Sequence, residues 1–180
     1  ASGGEGSLTY QWQHSVDNTN FVNVATGGAT IGPYTAGTLT TTTYFRRAAT
    51  DGANTGYSNT ITVTVTAAPS AGTLSGTQSI CVGSTSTFSS TVGAGTWASN
   101  NIAIATVNAS TGLVSGVSAG TTTITYTVTG SGGCANAVAS RTITVTAAPS
   151  AGTISGGSSL CIGQSSTLTS TVGGGTWSSS

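Results

Sequence analysis

Polar and apolar residues alternate along most of this chain with a period of two. Leu8, Tyr10 and Trp12 face one way and Thr9, Gln11 and Gln13 the other, the pattern of a half-buried strand. After the turn chemistry of Asp17-Asn-Thr-Asn20, Phe21 to Val24 predicts a second, short strand. Gly32-Pro33 breaks the pattern before Tyr34. Leu39 to Ala48 predicts a long strand with Tyr44 and Phe45 on opposite faces. Past a polar loop from Thr50 to Gly56, Tyr57 to Val65 predicts another, with Ile61, Val63 and Val65 facing inward.

The same rhythm continues. Ser79 to Val82 predicts a short edge strand, and Thr85 to Val92 one with Phe88 inward and Thr87, Ser89 and Thr91 outward. Trp97 sits on the next strand. Ile104 to Val117 forms a hairpin region turned at Ser110-Thr-Gly112. Thr121 to Thr129 carries Ile124, Tyr126 and Val128 on one face, and Arg141 to Val145 is the closing strand. No stretch has helical periodicity. Short strands at about 8–12-residue spacing predict an all-β fold of tandem immunoglobulin-like β-sandwich domains.

Part of the chain occurs twice. Thr66-Ala-Ala-Pro-Ser-Ala-Gly-Thr73 returns as Thr146 to Thr153, Cys81 as Cys161, and Gly95-Thr-Trp97 as Gly175-Thr-Trp177, each 80 residues on. A unit of that length is too long for a solenoid repeat and suits a small domain. The expected division is a partial sandwich at 1–66 whose N-terminal strands are missing, a complete unit at 67–146, and the start of a truncated third at 147–180. The Ala-Ala-Pro-Ser joint, with its fixed φ at proline, predicts a stiff hinge.

Composition narrows the function. Only 3% of residues are charged and 36% are hydrophobic; there is no Lys, and Arg stands only at 46, 47 and 141. That excludes charge-driven disorder and the basic surface needed for nucleic acid. No apolar run reaches the roughly 20 residues of a membrane span. The unit 67–146 contains no Asp, Glu, Lys or His, so it cannot build a general acid–base pair, a Ser-His-Asp triad or a paired-carboxylate site. No catalytic residue, cofactor or metal is expected. Elsewhere the titratable groups include Glu5, His14, Asp17 and Asp51. His14 with either aspartate is a candidate pair, but each is better read as a solvated strand or loop residue. Asp17-Asn-Thr-Asn20 is too sparse for a calcium loop. Gly93-Ala-Gly95 and Gly173-Gly-Gly175 lack the following helix and Lys of a phosphate loop and read as turns. Arg46 and Arg47 alternate, one inward and one outward. Asn108-Ala-Ser110 fits a glycosylation pattern.

Residues 97–124 carry a Trp, then Ala105-Thr-Val107, Gly112-Leu-Val114 and Ala119-Gly-Thr121. In that order and spacing they resemble the bacterial immunoglobulin-like group 2 domain, over roughly residues 70–146. Residues 8–65, through Tyr10-Gln-Trp-Gln13, Thr43-Tyr-Phe-Arg46 and Ser58-Asn-Thr60, are similar to a different group of immunoglobulin- or PKD-like repeats. Together they resemble the very long repeat adhesins of gliding bacteria that export surface proteins by type IX secretion. The resemblance implies an extracellular, cell-surface adhesin or filament array. Its expected partners are a surface polysaccharide or substratum and neighbouring repeats of the same chain. An accessory spacer or carbohydrate-binding segment of a secreted polysaccharide-degrading enzyme is the alternative.

Two readings concern the core. Cys81 and Cys134 fall in one unit, and a disulfide between them would close a loop of 53 residues. Such a bridge is worth about 4 kcal/mol on the chain-entropy estimate and implies an oxidising compartment. Two unrelated thiols are the alternative, since a sandwich can set these positions at opposite ends. Trp12, Trp97 and Trp177 are expected to pack in the inter-sheet core, with a carbohydrate-stacking platform as the rival reading.

Overall fold

The computed structural model describes residues 7–25, 32–52 and 54–179. Every element among them is a strand, and the elements fall in several sheets. By packing, the chain divides into two compact units, residues 1–71 with 127–138, and residues 72–126 with 139–180.

In the first unit, β1 (Thr9–Ser15), β2 (Val22–Asn23), β3 (Thr43–Asp51), β4 (Asn54–Tyr57) and β5 (Ile61–Val63) form one antiparallel sheet. β3 is its spine. β1 lies along one side with Trp12 opposite Arg47 and His14 opposite Phe45. On the other side β4 pairs with Ala48 to Asp51 and β5 with Thr43 to Phe45. The single strand expected from Tyr57 to Val65 is therefore broken, because Ser58 leaves the ladder. Its Oγ accepts from Arg47 N at 2.9 Å and its own N–H donates to Arg47 O. A face bearing Tyr34, Trp12 and Phe45, with ring centroids about 6 Å apart, buries Phe45. Ile61 and Val63, expected to face inward, share this face with Phe45 but are 56% and 39% exposed.

From residue 67 onward, β6 (Leu74–Ser75) pairs with β9 (Ser89–Ser90), and β8 (Thr85–Thr87) with β12 (Leu113–Gly116), which in turn pairs with β11 (Ala105–Val107). The other sheet runs β10 (Thr96–Ser99), β13 (Gly120–Val128), β14 (Ala137–Thr146), β7 (Ser79–Cys81), with β7 parallel to β14 at the edge. The expected strand from Thr85 to Val92 splits at Phe88. There the chain passes from the β12 ladder to the β6 ladder while Phe88 N holds Gly112 O at 2.9 Å. Phe88, Val114, Ile124, Ile143 and Val145 are the largest side chains closed from solvent. At the left-handed φ of Gly112 a β-carbon would meet Phe88 O at 2.3 Å, so only glycine suits this turn.

Residues 147–179 repeat part of the local geometry of 67–99. β15 (Ile154–Ser155) pairs with β16 (Thr169–Ser170), as β6 does with β9. Thr153 N donates to Thr171 Oγ1 at 2.9 Å where Thr73 N donates to Thr91 Oγ1 at 3.0 Å. Gly152 and Gly156 share the positive φ of Gly72 and Gly76.

Candidate functional site

The core of the 67–146 repeat is built around three rings. Trp97 on β10 lies 4.6 Å from Tyr126 on β13 and meets the Phe88 ring edge-on at 6.3 Å. Tyr126 OH accepts from Gly95 N at 2.7 Å and donates to Val92 O at 2.9 Å, which fixes the turn before Trp97. Gly93 to Gly95 is thus a turn held by a phenol, with Ala94 at φ 65°. On the inner face of β14, Arg141 donates from Nη1 to Leu74 O and from Nη2 to Gly76 O, both at 3.0 Å. Nothing in the residue types around Arg141 announces this inward guanidinium. Its place in the alternation with Ile143 and Val145 is the signal that could have found it.

The three tryptophans fare differently. Trp97 is 6% exposed, Trp12 is half-buried, and Trp177 is 59% exposed. Trp177, expected in a core, is thus not enclosed by the described residues. In residues 147–179 no counterparts of β13 and β14 stand across from it, and Ile154, Leu160 and Leu168 are likewise exposed where Leu74, Ile80 and Phe88 are buried. Ile154, Leu168, Val172 and Trp177 line an open depression of about 450 Å³.

The expected Cys81–Cys134 disulfide is not formed, and all three thiols are free. The reason is the length of β14. Cys81 lies level with Thr146 at its C-terminal end, and Cys134 precedes its first residue, Ala137. Ten residues at about 3.3 Å each separate the ends by roughly 30 Å, whereas a disulfide needs Cα atoms within about 7 Å. Cys134 Sγ donates to Thr66 O at 3.5 Å, while Cys81 Sγ accepts from Thr146 Oγ1 at 3.6 Å.

The sheet of the first unit carries the chemistry-bearing side chains. Arg46 and Arg47 point to opposite faces of β3. The Arg46 guanidinium is sandwiched between Phe21 and Tyr57, 3.9 Å from each ring centroid, and its Nε donates to Gln13 Oε1 at 2.9 Å. Such contacts are cation–π in character. Arg47 lies 3.9 Å over Tyr10. Tyr10, Arg47, Ala49, Gly56, Tyr57 and Ser58 line an open cleft of about 390 Å³. Arg47 Nε is buried there without a hydrogen-bond partner among the described residues.

The structure does not join His14 to an aspartate. His14 stands on β1 beside the Phe45 ring at 6.3 Å. Asp17 is bound within its own turn: Oδ1 accepts from Ser15 Oγ, Thr19 N and Asn20 N, and Oδ2 from Asn20 Nδ2. These bonds, the Ser15 hydroxyl first, hold its pKa well below the usual carboxylate range. Asp51 closes the turn between β3 and β4, where Asn54 Nδ2 approaches it at 3.4 Å. Glu5 lies outside the described residues. Among the described residues no three His, Cys, Asp or Glu side chains gather where a metal could bind. Asn108 Oδ1 accepts from Ser110 N and Thr111 N, making the glycosylation pattern an Asx turn at the β11–β12 hairpin.

Residues 58–137 match the family model of the bacterial Ig-like domain (group 2). That match spans the residues that carry Phe88, Trp97 and Tyr126. Residues 1–67 match a second family, described as a domain of unknown function (DUF8696). The two family matches follow one another along the chain, and neither description is of a catalytic domain. Among solved structures, the C-terminal 282-residue fragment of intimin, in complex with the intimin-binding domain of the translocated intimin receptor, matches with 20% identity and a TM-score of 0.34. The match covers 77% of this chain and 52% of that one, so the chain spans about half of that fragment. No curated protein matches the chain. No helix of the described residues is long and apolar enough to cross a membrane.

Proposed function

We propose that this chain is a non-catalytic stretch of a bacterial cell-surface array, serving as stalk and adhesive surface. One observation carries the reading: residues 67–100 and 147–180 share sequence at a constant 80-residue offset, and the β6–β9 pairing recurs as β15–β16 with the same flanking threonine bond. Such recurrence has a use when reach and multiplicity matter. A uniform array of Thr- and Ser-covered modules with almost no charge suits many weak contacts acting together. In this reading the units are 1–66, 67–146 and 147–180, joined by Ala-Ala-Pro-Ser segments, and the ligand is a surface polysaccharide or the substratum. Gliding motility and type IX export rest on the sequence resemblance alone.

The test is deletion of the parent gene in the native cell, with antibody against residues 67–146 on intact cells. Surface labelling in the wild type and reduced attachment in the deletion strain are expected. Unchanged attachment would overturn the adhesive role, and labelling only after lysis would overturn the surface location.

A second reading, a carbohydrate-binding spacer in a secreted polysaccharide-degrading enzyme, is favoured by the open cleft where the Arg47 guanidinium lies over the Tyr10 ring. An aromatic ring beside a guanidinium suits a sugar ring and its hydroxyls. Glycan-array binding lost in Tyr10→Ala would support it, and absence of any glycan signal would remove it.

A further inference from the structure

The two cysteines of the group 2 repeat are far apart within one copy, yet each touches the same residue of the repeating sequence. Cys134 Sγ rests on Thr66 O at 3.5 Å, and a β-carbon on Gly132 would stand 2.5 Å from Thr66 Oγ1, so the loop lies tight against that threonine. Cys81 lies opposite Thr146 in the parallel ladder, 3.6 Å from its Oγ1. Thr146 is Thr66 displaced by 80 residues. We propose that consecutive group 2 repeats are joined by a disulfide from the Cys81 position of one copy to the Cys134 position of the next.

The geometry at the joint supports this pairing. Where one complete copy follows another, the thiol at the following copy's Cys134 position lies against Thr146 O. That oxygen already accepts from Val82 N at 2.9 Å, and Val82 adjoins Cys81. Both sulfurs therefore belong to the immediate surroundings of one threonine, at strand-to-strand separation rather than the length of β14. The present chain also fits. Residues 1–66 contain no cysteine, so nothing at the Thr66 joint can bridge Cys134, and Cys134 is free. The two thiols give up two electrons and two protons to a disulfide oxidant; with oxidised glutathione the products are one protein disulfide and two molecules of reduced glutathione. A bridge at each joint would hold neighbouring copies together across the Ala-Ala-Pro-Ser segment. The inference needs head-to-tail copies but not adhesion, so it stands or falls separately from the proposed function.

The test uses the full chain extended after Ser180 by a copy of its own residues 101–146, which completes the third repeat. It is refolded with oxidised and reduced glutathione, alkylated, and digested without reduction. Mass spectrometry is expected to find Cys81 bonded to the appended copy of Cys134, with Cys134 and Cys161 alkylated. Cys81→Ser should free the appended thiol, whereas Cys134→Ser should leave the bridge in place. A second protein, residues 1–146 followed by another 67–146, guards against failure of the third copy to fold. Bonds within one copy, or free thiols in both proteins, would overturn the proposal.

Discussion

The ring of Tyr126 fills the space that a β-carbon on Gly95 would need, its carbons 2.4 to 2.7 Å from that point, and its hydroxyl takes the Gly95 N–H at 2.7 Å. The turn and the ring therefore specify each other, and two substitutions separate packing from hydrogen bonding. Tyr126→Phe keeps the ring but leaves Gly95 N and Val92 O unpaired, a loss of about 1–2 kcal/mol. Gly95→Ala forces the ring aside, an overpacking cost of about 1–3 kcal/mol or more. Urea unfolding of both variants should place Gly95→Ala at the lower midpoint. A wild-type midpoint for Gly95→Ala would show that the turn does not clamp this ring.

Arg141 gives a second prediction. Its guanidinium serves two carbonyls, Leu74 O and Gly76 O, with the Phe88 ring 5.9 Å away. Arg141→Ala should cost about 2–3 kcal/mol, since hydrogen bonds to charged groups are the stronger ones. Arg141→Lys should recover only part of that, because an ammonium cannot present the two-pronged fork. Full recovery by lysine in the same unfolding measurement would contradict the fork.

Much of this fold was legible because alternation reports burial directly. Phe88 is patterned to face inward and Ile124 and Tyr126 to share one face, and all three are buried; the turn at Gly112 follows from its residue chemistry. What alternation cannot report is which sheet a strand joins. Phe88 keeps its inward direction while the chain changes ladders beneath it. Nor does alternation report cover: Ile61 and Val63 are patterned to face inward, yet they need a facing layer that their own strand does not supply. The cysteines failed for a third reason. Their separation along the chain carries no information about the roughly 30 Å length of β14.

Asp17 is predicted to titrate below the ordinary value of 3.8, held down chiefly by the Ser15 hydroxyl and then by the N–H groups of Asn20 and Thr19. A depressed folded pKa stabilises the ionised turn. That contribution is complete above the ordinary range and is lost as pH falls from 3.8 toward the lower folded value. Solvent screening keeps it small at this exposed site. A carboxyl carbon NMR titration should find Asp17 still ionised at pH 3. A midpoint at or above 3.8 would break the proposed bonding, and Ser15→Ala should move the midpoint upward.

The two equivalent tryptophans permit a measurement inside one molecule. Trp97 is packed between Phe88 and Tyr126, whereas Trp177 is 59% exposed at the matching position. Iodide, which cannot enter a packed interior, should therefore quench Trp177 strongly and Trp97 hardly at all. Trp12, half-buried, with its indole N–H directed to Gly32 O at 3.4 Å, should fall between them. Replacing Trp177 by Phe should remove most of the quenchable emission with little change in stability, because an exposed ring contributes little burial. Trp97→Phe should instead reduce stability, by about 1–3 kcal/mol for a shape change in a packed core. Equal quenching of Trp97 and Trp177 would mean that the 67–146 core is as open as the segment that repeats it.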